Sequence, residues 1–140
     1  MAGYSGTPLA RKLGMKTGHR VGVLGAPDGF DDVLADSLPA DVTVRTQARG
    51  PLDVILSFHT CRADPDQRVQ SLLRALDVDG GLWIAWPKKA SGVMTDITED
   101  TVREVFLPLG LVDNKVCAVD DVWSGLRVVW RKDRRAALRG

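Results

Sequence analysis

Apolar residues fall into compact runs and spaced stripes that alternate along nearly the whole chain. Arg20-Val21-Gly22-Val23-Leu24, Asp53-Val54-Ile55-Leu56-Ser57-Phe58 and Leu82-Trp83-Ile84-Ala85-Trp86 are near-continuous apolar runs, as expected of strands buried on both faces of a sheet. Between them the stripes Phe30, Val33, Leu34, Leu38, then Val69, Leu72, Leu73, Leu76, then Val102, Val105, Phe106, Leu109 recur at helical spacing, which buries one face of a helix. The punctuation agrees with that alternation. Thr7 and Pro8 open a short first helix through Leu9, Ala10 and Leu13, stopped at Gly14, because a hydroxyl caps and proline fits the first turn. Asp28 or Gly29 starts the second helix, and Asp64-Pro65 starts the third, which should run to Asp79-Gly80-Gly81. Thr98 caps the fourth with Glu99 and Asp100 behind it, and Pro108 should kink or shorten its last turn.

Two places depart from simple alternation. Val42-Thr43-Val44 is a short strand separated from the next only by Arg45 to Leu52, too few residues for a parallel crossover with its own helix. An extended loop or an irregular second strand is expected there. Leu111 to Val119 and Leu126 to Trp130 flank the turn residues Asp120 to Gly125, which suits an antiparallel pair. The pattern as a whole predicts an α/β fold, a three-layer sandwich with a mostly parallel sheet and an antiparallel C-terminal edge pair. The apolar strands at 20–24, 53–58 and 82–86 should be central.

With 140 residues the chain suits one domain with its own core, here residues 1–131. Residues 132–140 form a basic tail, expected to be solvated and poorly ordered. Residues 131–140 hold Arg131, Lys132, Arg134, Arg135 and Arg139 against Asp133 alone, within a formal net charge of only +1. No basic stripe interleaved with aromatics appears in the body, so nucleic acid is not the expected partner. No apolar run approaches the ~20 residues of a membrane span, and the opening Met-Ala-Gly-Tyr-Ser-Gly-Thr-Pro lacks the apolar core of a secretory signal. A cytoplasmic location off the membrane is expected. Cys61 and Cys117 lie far apart without a metal-ligand pattern, so reduced thiols and no metal are expected.

The order of elements resembles a small class I S-adenosylmethionine methyltransferase, a Rossmann-like architecture. The segments Tyr4-Ser5-Gly6-Thr7-Pro8-Leu9, Leu24-Gly25-Ala26-Pro27, Trp86-Pro87-Lys88, Thr95 to Asp100, Asp113 to Asp120 and Trp123-Ser124-Gly125-Leu126 also resemble the bacterial "domain of unknown function 3052" family over most of residues 4 to 131. That family implies no established activity. The methyltransferase resemblance implies a first-strand acid, a glycine-rich loop close to the cofactor, and an acid closing the second strand to hold the cofactor ribose. Here Val23 stands for the first acid, Pro27 for the central glycine between Gly25 and Gly29, and Arg45 closes the second strand. Proline adds a ring and removes an N–H, and a guanidinium cannot accept from ribose hydroxyls.

Candidate ligand-binding residues gather at the carboxyl ends of the parallel strands, where open α/β sheets place ligands. They are Gly25, Ala26, Pro27, Asp28 and Gly29 after the first strand, Arg45 after the second, His59 after the third, and Lys88 and Lys89 after the fourth. The lysines have no carboxylate near in sequence before Asp96, which favours a phosphate or carboxylate ligand. His59 and Cys61 contain the minimum of an activated thiol, but residues two apart in an extended chain need not meet, and a packed cysteine beside a rim histidine is the plainer reading. Asp96, Glu99 and Asp100 are explained by capping, and Trp123, in the hairpin turn, is a candidate exposed anchor for a partner. The expected function is a non-catalytic, methyltransferase-like domain that binds a small anionic ligand or a protein partner in a regulatory or scaffolding role, without a cofactor. The alternative is an active S-adenosylmethionine-dependent methyltransferase with an altered cofactor loop. Oligomeric state and ligand identity are not legible.

Overall fold

Six strands form one sheet in the order β2-β1-β3-β4-β6-β5, and the computed structural model describes residues 8–139 of the chain, apart from the side chains of Asp64 and Asp66. The expected cap Thr7 lies outside the described residues. Strand β1 (Arg20–Leu24) pairs in parallel with β2 (Thr43–Arg45) on one side and β3 (Leu52–Phe58) on the other, and β3 pairs in parallel with β4 (Leu76–Pro87). Strand β6 (Trp123–Trp130) runs antiparallel beside β4, and β5 (Leu111–Ala118) closes that edge. The central strands are β1, β3, β4 and β6.

Both faces of the sheet are covered, which is why its strands read as unbroken apolar runs. Helices α3 (Ala63–Ala75) and α4 (Glu99–Phe106) cover one face, packing Leu72, Val102 and Phe106 on Leu52, Ile55, Leu82, Ile84 and Leu126. Helices α1 (Leu9–Lys12) and α2 (Phe30–Ala35) cover the other, packing Ala10, Phe30 and Leu34 on Val21, Val23, Val54, Leu56 and Trp83. Alternate β4 residues serve opposite cores, Leu82, Ile84 and Trp86 one and Trp83 and Ala85 the other, as the period of a strand requires. The result is a three-layer α/β sandwich.

Several boundaries differ from the sequence expectation, and α3 already begins at Ala63, with Arg62 rather than Asp64 in the cap position. Helix α3 ends at Ala75, and Gly80 and Gly81 lie inside β4. Those glycines accommodate neighbours: a Cβ on Gly80 would stand 2.8 Å from the Asp53 carbonyl oxygen, and one on Gly81 would collide with the Arg127 guanidinium. Helix α2 stops at Ala35, before Leu38, and leaves Val33 48% exposed, so only Phe30 and Leu34 of its predicted stripe are buried within the helix. The last residues form a helix, α5 (Lys132–Arg139), with no buried side chain. It is solvated as expected but ordered, held by Arg134 donating to the Leu109 carbonyl over 3.1 Å and by the Arg139–Asp79 ion pair.

Helix α4 begins as its sequence implies. Thr98 Oγ1 accepts from the Thr101 amide at 3.3 Å, and Thr101 Oγ1 accepts from the Thr98 amide at 3.1 Å, a reciprocal capping box. A 3-10 turn over Leu107–Leu109 takes Pro108 out of the α-helix. Arg103 gathers Glu99, Asp100 and Asp113 at 2.8, 3.0 and 3.1 Å. The Asp113 bond, then those to Glu99 and Asp100, hold its guanidinium protonated above the usual range. These carboxylates are therefore engaged in structure. Among the described residues no group of three or more His, Cys, Asp or Glu side chains converges to hold a metal, and no helix is long and apolar enough to cross a membrane.

Candidate functional site

The chain leaves β1 to one side for β2, then crosses to β3 on the other side. That reversal makes the carboxyl ends of β1 and β3 a topological switch point, where the diverging connections leave a crevice. Gly25 sits there at φ +68°, and a Cβ would stand 3.2 Å from the Phe58 carbonyl oxygen. Glycine is thus needed both for the left-handed turn and for the close approach of two strand ends. The Phe30 amide closes the loop onto the Pro27 carbonyl at 3.1 Å, and Gly29, at φ +84°, precedes α2. Asp28 is exposed, and Ala26 and Pro27 are half-buried.

Beside this loop, on the α3 face, is a cavity of about 370 Å³ lined by Leu24, Thr46, Gln47, Ala48, Arg68, Ser71 and Leu72. The β2–β3 link is the extended loop that its length demanded, and it forms one wall. Helix α3 forms the other wall with Arg68 and Ser71 one turn apart. Sequence reading missed these polar residues, although the link too short for a helix was the signal: such a segment must pass over the strand ends itself. Among the described residues, the lining holds one guanidinium, two hydroxyls, one carboxamide and no carboxylate.

The residues singled out in the sequence are spread along this rim. Arg45 ends β2 on the exposed edge and donates to the Arg49 carbonyl at 3.4 Å. Lys88 and Lys89 follow β4, two strands beyond β1, and the Lys88 amide donates to the Val122 carbonyl at 2.7 Å. At ~4.8 Å per strand, Arg45 and Lys88 start about 14 Å apart. The end of β1 at Leu24 and the β2–β3 link meet at the cavity, whose lining includes none of Gly25 to Gly29, Arg45, His59, Lys88 or Lys89; the lysines stand instead beside the β5–β6 turn.

His59 is 3% exposed, its amide donates to the Ala85 carbonyl at 2.9 Å, and its Nε2 lies 2.6 Å from Ser57 Oγ. Cys61 is exposed. A buried imidazole whose Nε2 is engaged by a serine, next to a solvated thiol, does not have the arrangement of a Cys–His dyad. Cys117 is half-buried, and burial pushes its thiol up despite the nearby Lys12 and Lys115, which disfavours the nucleophilic thiolate. Trp123 is not an exposed anchor. Its ring meets Phe58 edge-on at 5.0 Å, and Phe58 meets Phe30 at 5.0 Å, so the hairpin turn and α2 are joined by an aromatic row under the rim. Asp120 holds the turn by accepting from the Val122 and Trp123 amides, both at 2.8 Å.

Solved structures of methyltransferases share this fold. A SAM-dependent methyltransferase from Aquifex aeolicus superposes with a TM-score of 0.66 at 15% identity over 86% of each chain. A protein from Sulfolobus solfataricus described as a type 11 methyltransferase gives 0.62 at 15% identity over 89% of this chain and 90% of its own. Magnesium protoporphyrin IX methyltransferase from Synechocystis PCC 6803, solved with bound SAM, gives 0.57 at 13% identity over 82% of this chain and 71% of its own. No family model matches the chain, and no curated protein is significantly similar to it in sequence. Identities this low speak to architecture alone. The chain has the Rossmann-like fold of SAM-dependent methyltransferases.

Proposed function

We propose that this is a methyltransferase-like domain without methyl-transfer activity, which binds a small anionic ligand at the switch-point crevice in a regulatory or scaffolding role. The observation that carries the reading is the polar set of the crevice, Arg68 with Thr46, Gln47 and Ser71, in which no carboxylate takes part among the described residues. S-adenosylmethionine presents a sulfonium, an ammonium and ribose hydroxyls, which call for an acidic partner, beside a single carboxylate. A phosphate or carboxylate instead matches a guanidinium and hydroxyl donors. Arg45, Lys88 and Lys89 add the same sign along the rim, and Gly25 to Gly29 and the Ser57–His59 pair follow or end the neighbouring strands β1 and β3. Membership of the "domain of unknown function 3052" family and a cytoplasmic location belong to this proposal, as does a protein partner in place of the small ligand.

The second reading is an active methyltransferase with an altered cofactor loop, favoured by the tight left-handed turn at Gly25 against the end of β3. Titrating the purified chain with S-adenosylmethionine while following its melting temperature separates the two. The proposal expects no saturable shift, whereas inorganic phosphate should raise the melting temperature in a way that Arg68→Glu abolishes. A saturable shift at micromolar S-adenosylmethionine overturns the proposal and establishes cofactor binding.

A further inference from the structure

The opposite end of the sheet carries an arrangement that neither reading uses. At the amino ends of the strands, on the α1 side, a cavity of about 410 Å³ has Trp83, Val54 and Leu13 among its lining residues. Four cations, Lys12, Lys16, Lys115 and Arg127, line it together with His19. Its two lining carboxylates are already engaged. Asp53 accepts from the Arg20 amide at 2.7 Å and from its guanidinium at 3.1 Å, and Asp79 pairs with Arg139.

The cations have no such partners. Lys12 Nζ donates to the Ala118 carbonyl at 2.7 Å and Lys115 Nζ to the Lys12 carbonyl at 3.4 Å, which leaves each ammonium further N–H groups. Among the described residues, the side chains of Lys16 and Arg127 have no hydrogen-bond or ion-pair partner. Lys115 and Arg127 are directly opposite in the β5–β6 register, so two like charges share one face of the sheet, an arrangement that destabilises a strand pair. Arg127 is also half-buried against Gly81, where any side chain would displace its guanidinium. Burial lowers the pKa of that guanidinium, with no carboxylate to offset the loss of water. His19 Nδ1 accepts from the Lys16 amide at 3.1 Å, which leaves Nε2 of the neutral ring as a donor.

We propose that this cavity is a second ligand site, one that takes a small phosphate-bearing molecule. Its charged group would sit between Arg127, Lys115, Lys12 and Lys16, with His19 Nε2 as an added donor and Trp83 as an apolar wall for the carbon skeleton. The bound dianion offsets the like-charge repulsion across β5 and β6 and gives the half-buried guanidinium a bidentate partner. It lies at the amino ends of the strands, away from the switch-point crevice, and does not depend on what that crevice binds.

The test is calorimetric titration of the full chain with inorganic pyrophosphate at low ionic strength. The Arg68→Glu chain, in which the crevice is disabled, should bind one equivalent saturably, more weakly as salt rises. Arg127→Met should weaken binding by about tenfold or more while keeping or raising the melting temperature of the ligand-free chain, since it removes an unpaired half-buried charge. Lys16→Glu, at an exposed position, should weaken binding with the fold intact, and keeps the test decisive if Arg127→Met fails to fold. Both variants are made in the Arg68→Glu chain, which separates this site from the crevice. Absence of saturable binding, or affinity unchanged in both Arg127→Met and Lys16→Glu, overturns the proposal. So does tight binding of a single-stranded oligonucleotide that pyrophosphate does not displace, which would make the cavity part of a nucleic-acid surface.

Discussion

Trp83 in β4 donates its indole Nε1 hydrogen to the carbonyl of Leu13, 2.9 Å away and 70 residues earlier in the chain, with both side chains fully buried. The bond ties the end of α1 to the middle of the sheet and satisfies a carbonyl that α1, only four residues long, cannot satisfy itself. Trp83→Phe should destabilise the chain by about 2–4 kcal/mol, from a stranded carbonyl and a cavity. Urea unfolding measures it, and a loss below ~0.5 kcal/mol would show that the Leu13 carbonyl finds another partner.

Arg20 and Asp53 make the second long-range tie, from the start of β1 to the start of β3. The side-chain bond from Arg20, then its backbone amide, hold the Asp53 carboxyl below the usual carboxylate range against the opposing effect of burial. A carboxylate depressed in the folded state stabilises fully above its unfolded pKa of ~3.9, and that contribution is lost as the pH falls through the folded value. Asp53→Asn should therefore lower stability at pH 7 by about 1 kcal/mol, the pair being partly solvated. It should also flatten the decline of melting temperature with acid below pH ~4. An unchanged acid limb would assign that limb to other carboxylates.

The capping box supports a local prediction. Thr98→Ala removes the acceptor for the Thr101 amide and should cost about 1 kcal/mol. Thr98→Ser should recover most of it in the same unfolding assay.

The sheet was legible because strands covered on both faces must be apolar at nearly every position, and the runs at 20–24, 53–58 and 82–86 are. The end of α3 was not. Gly80-Gly81 reads locally as a helix stop, but what requires those glycines is contact with the Asp53 carbonyl and the Arg127 guanidinium, both distant in sequence. The rim was legible from topology as the place where the parallel strands end. Its cavity was not, because Arg68 and Ser71 look like an ordinary solvated helix face until the β2–β3 link packs opposite them. Trp123 escaped for the same reason: a turn position predicts exposure, and only the fold supplies Phe58.

The two thiols should differ in reactivity. Cys61 is exposed, and Cys117 is half-buried with its thiol pushed up by burial. At neutral pH an alkylating reagent should modify Cys61 first, with Cys117 following only slowly in the folded chain. Cys61→Ser should change stability by less than ~0.5 kcal/mol, as for a surface substitution. Mass spectrometry of timed samples tests the order, and faster labelling of Cys117 would reveal local opening of β5.

Helix α5 should contribute order more than stability. None of its side chains is buried, and its anchors are the Arg134 bond to the Leu109 carbonyl, the exposed Arg139–Asp79 pair, and Leu138 on a groove shared with Leu73, Leu76, Leu109 and Trp130. Exposed ion pairs contribute about 0–1 kcal/mol, and Leu138 remains 52% exposed, so its burial recovers only part of the ~1.5–3 kcal/mol of a fully buried leucine. Ordering eight residues opposes these gains. Deleting residues 132–140 should therefore leave a cooperative transition with a melting temperature a few degrees lower. It also frees Asp79 of its partner at the edge of the basic cavity, placing an unpaired carboxylate there. Pyrophosphate binding should then weaken in the truncated chain even though no binding cation has been removed. Truncation that abolishes cooperative unfolding would instead make α5 part of the structural core.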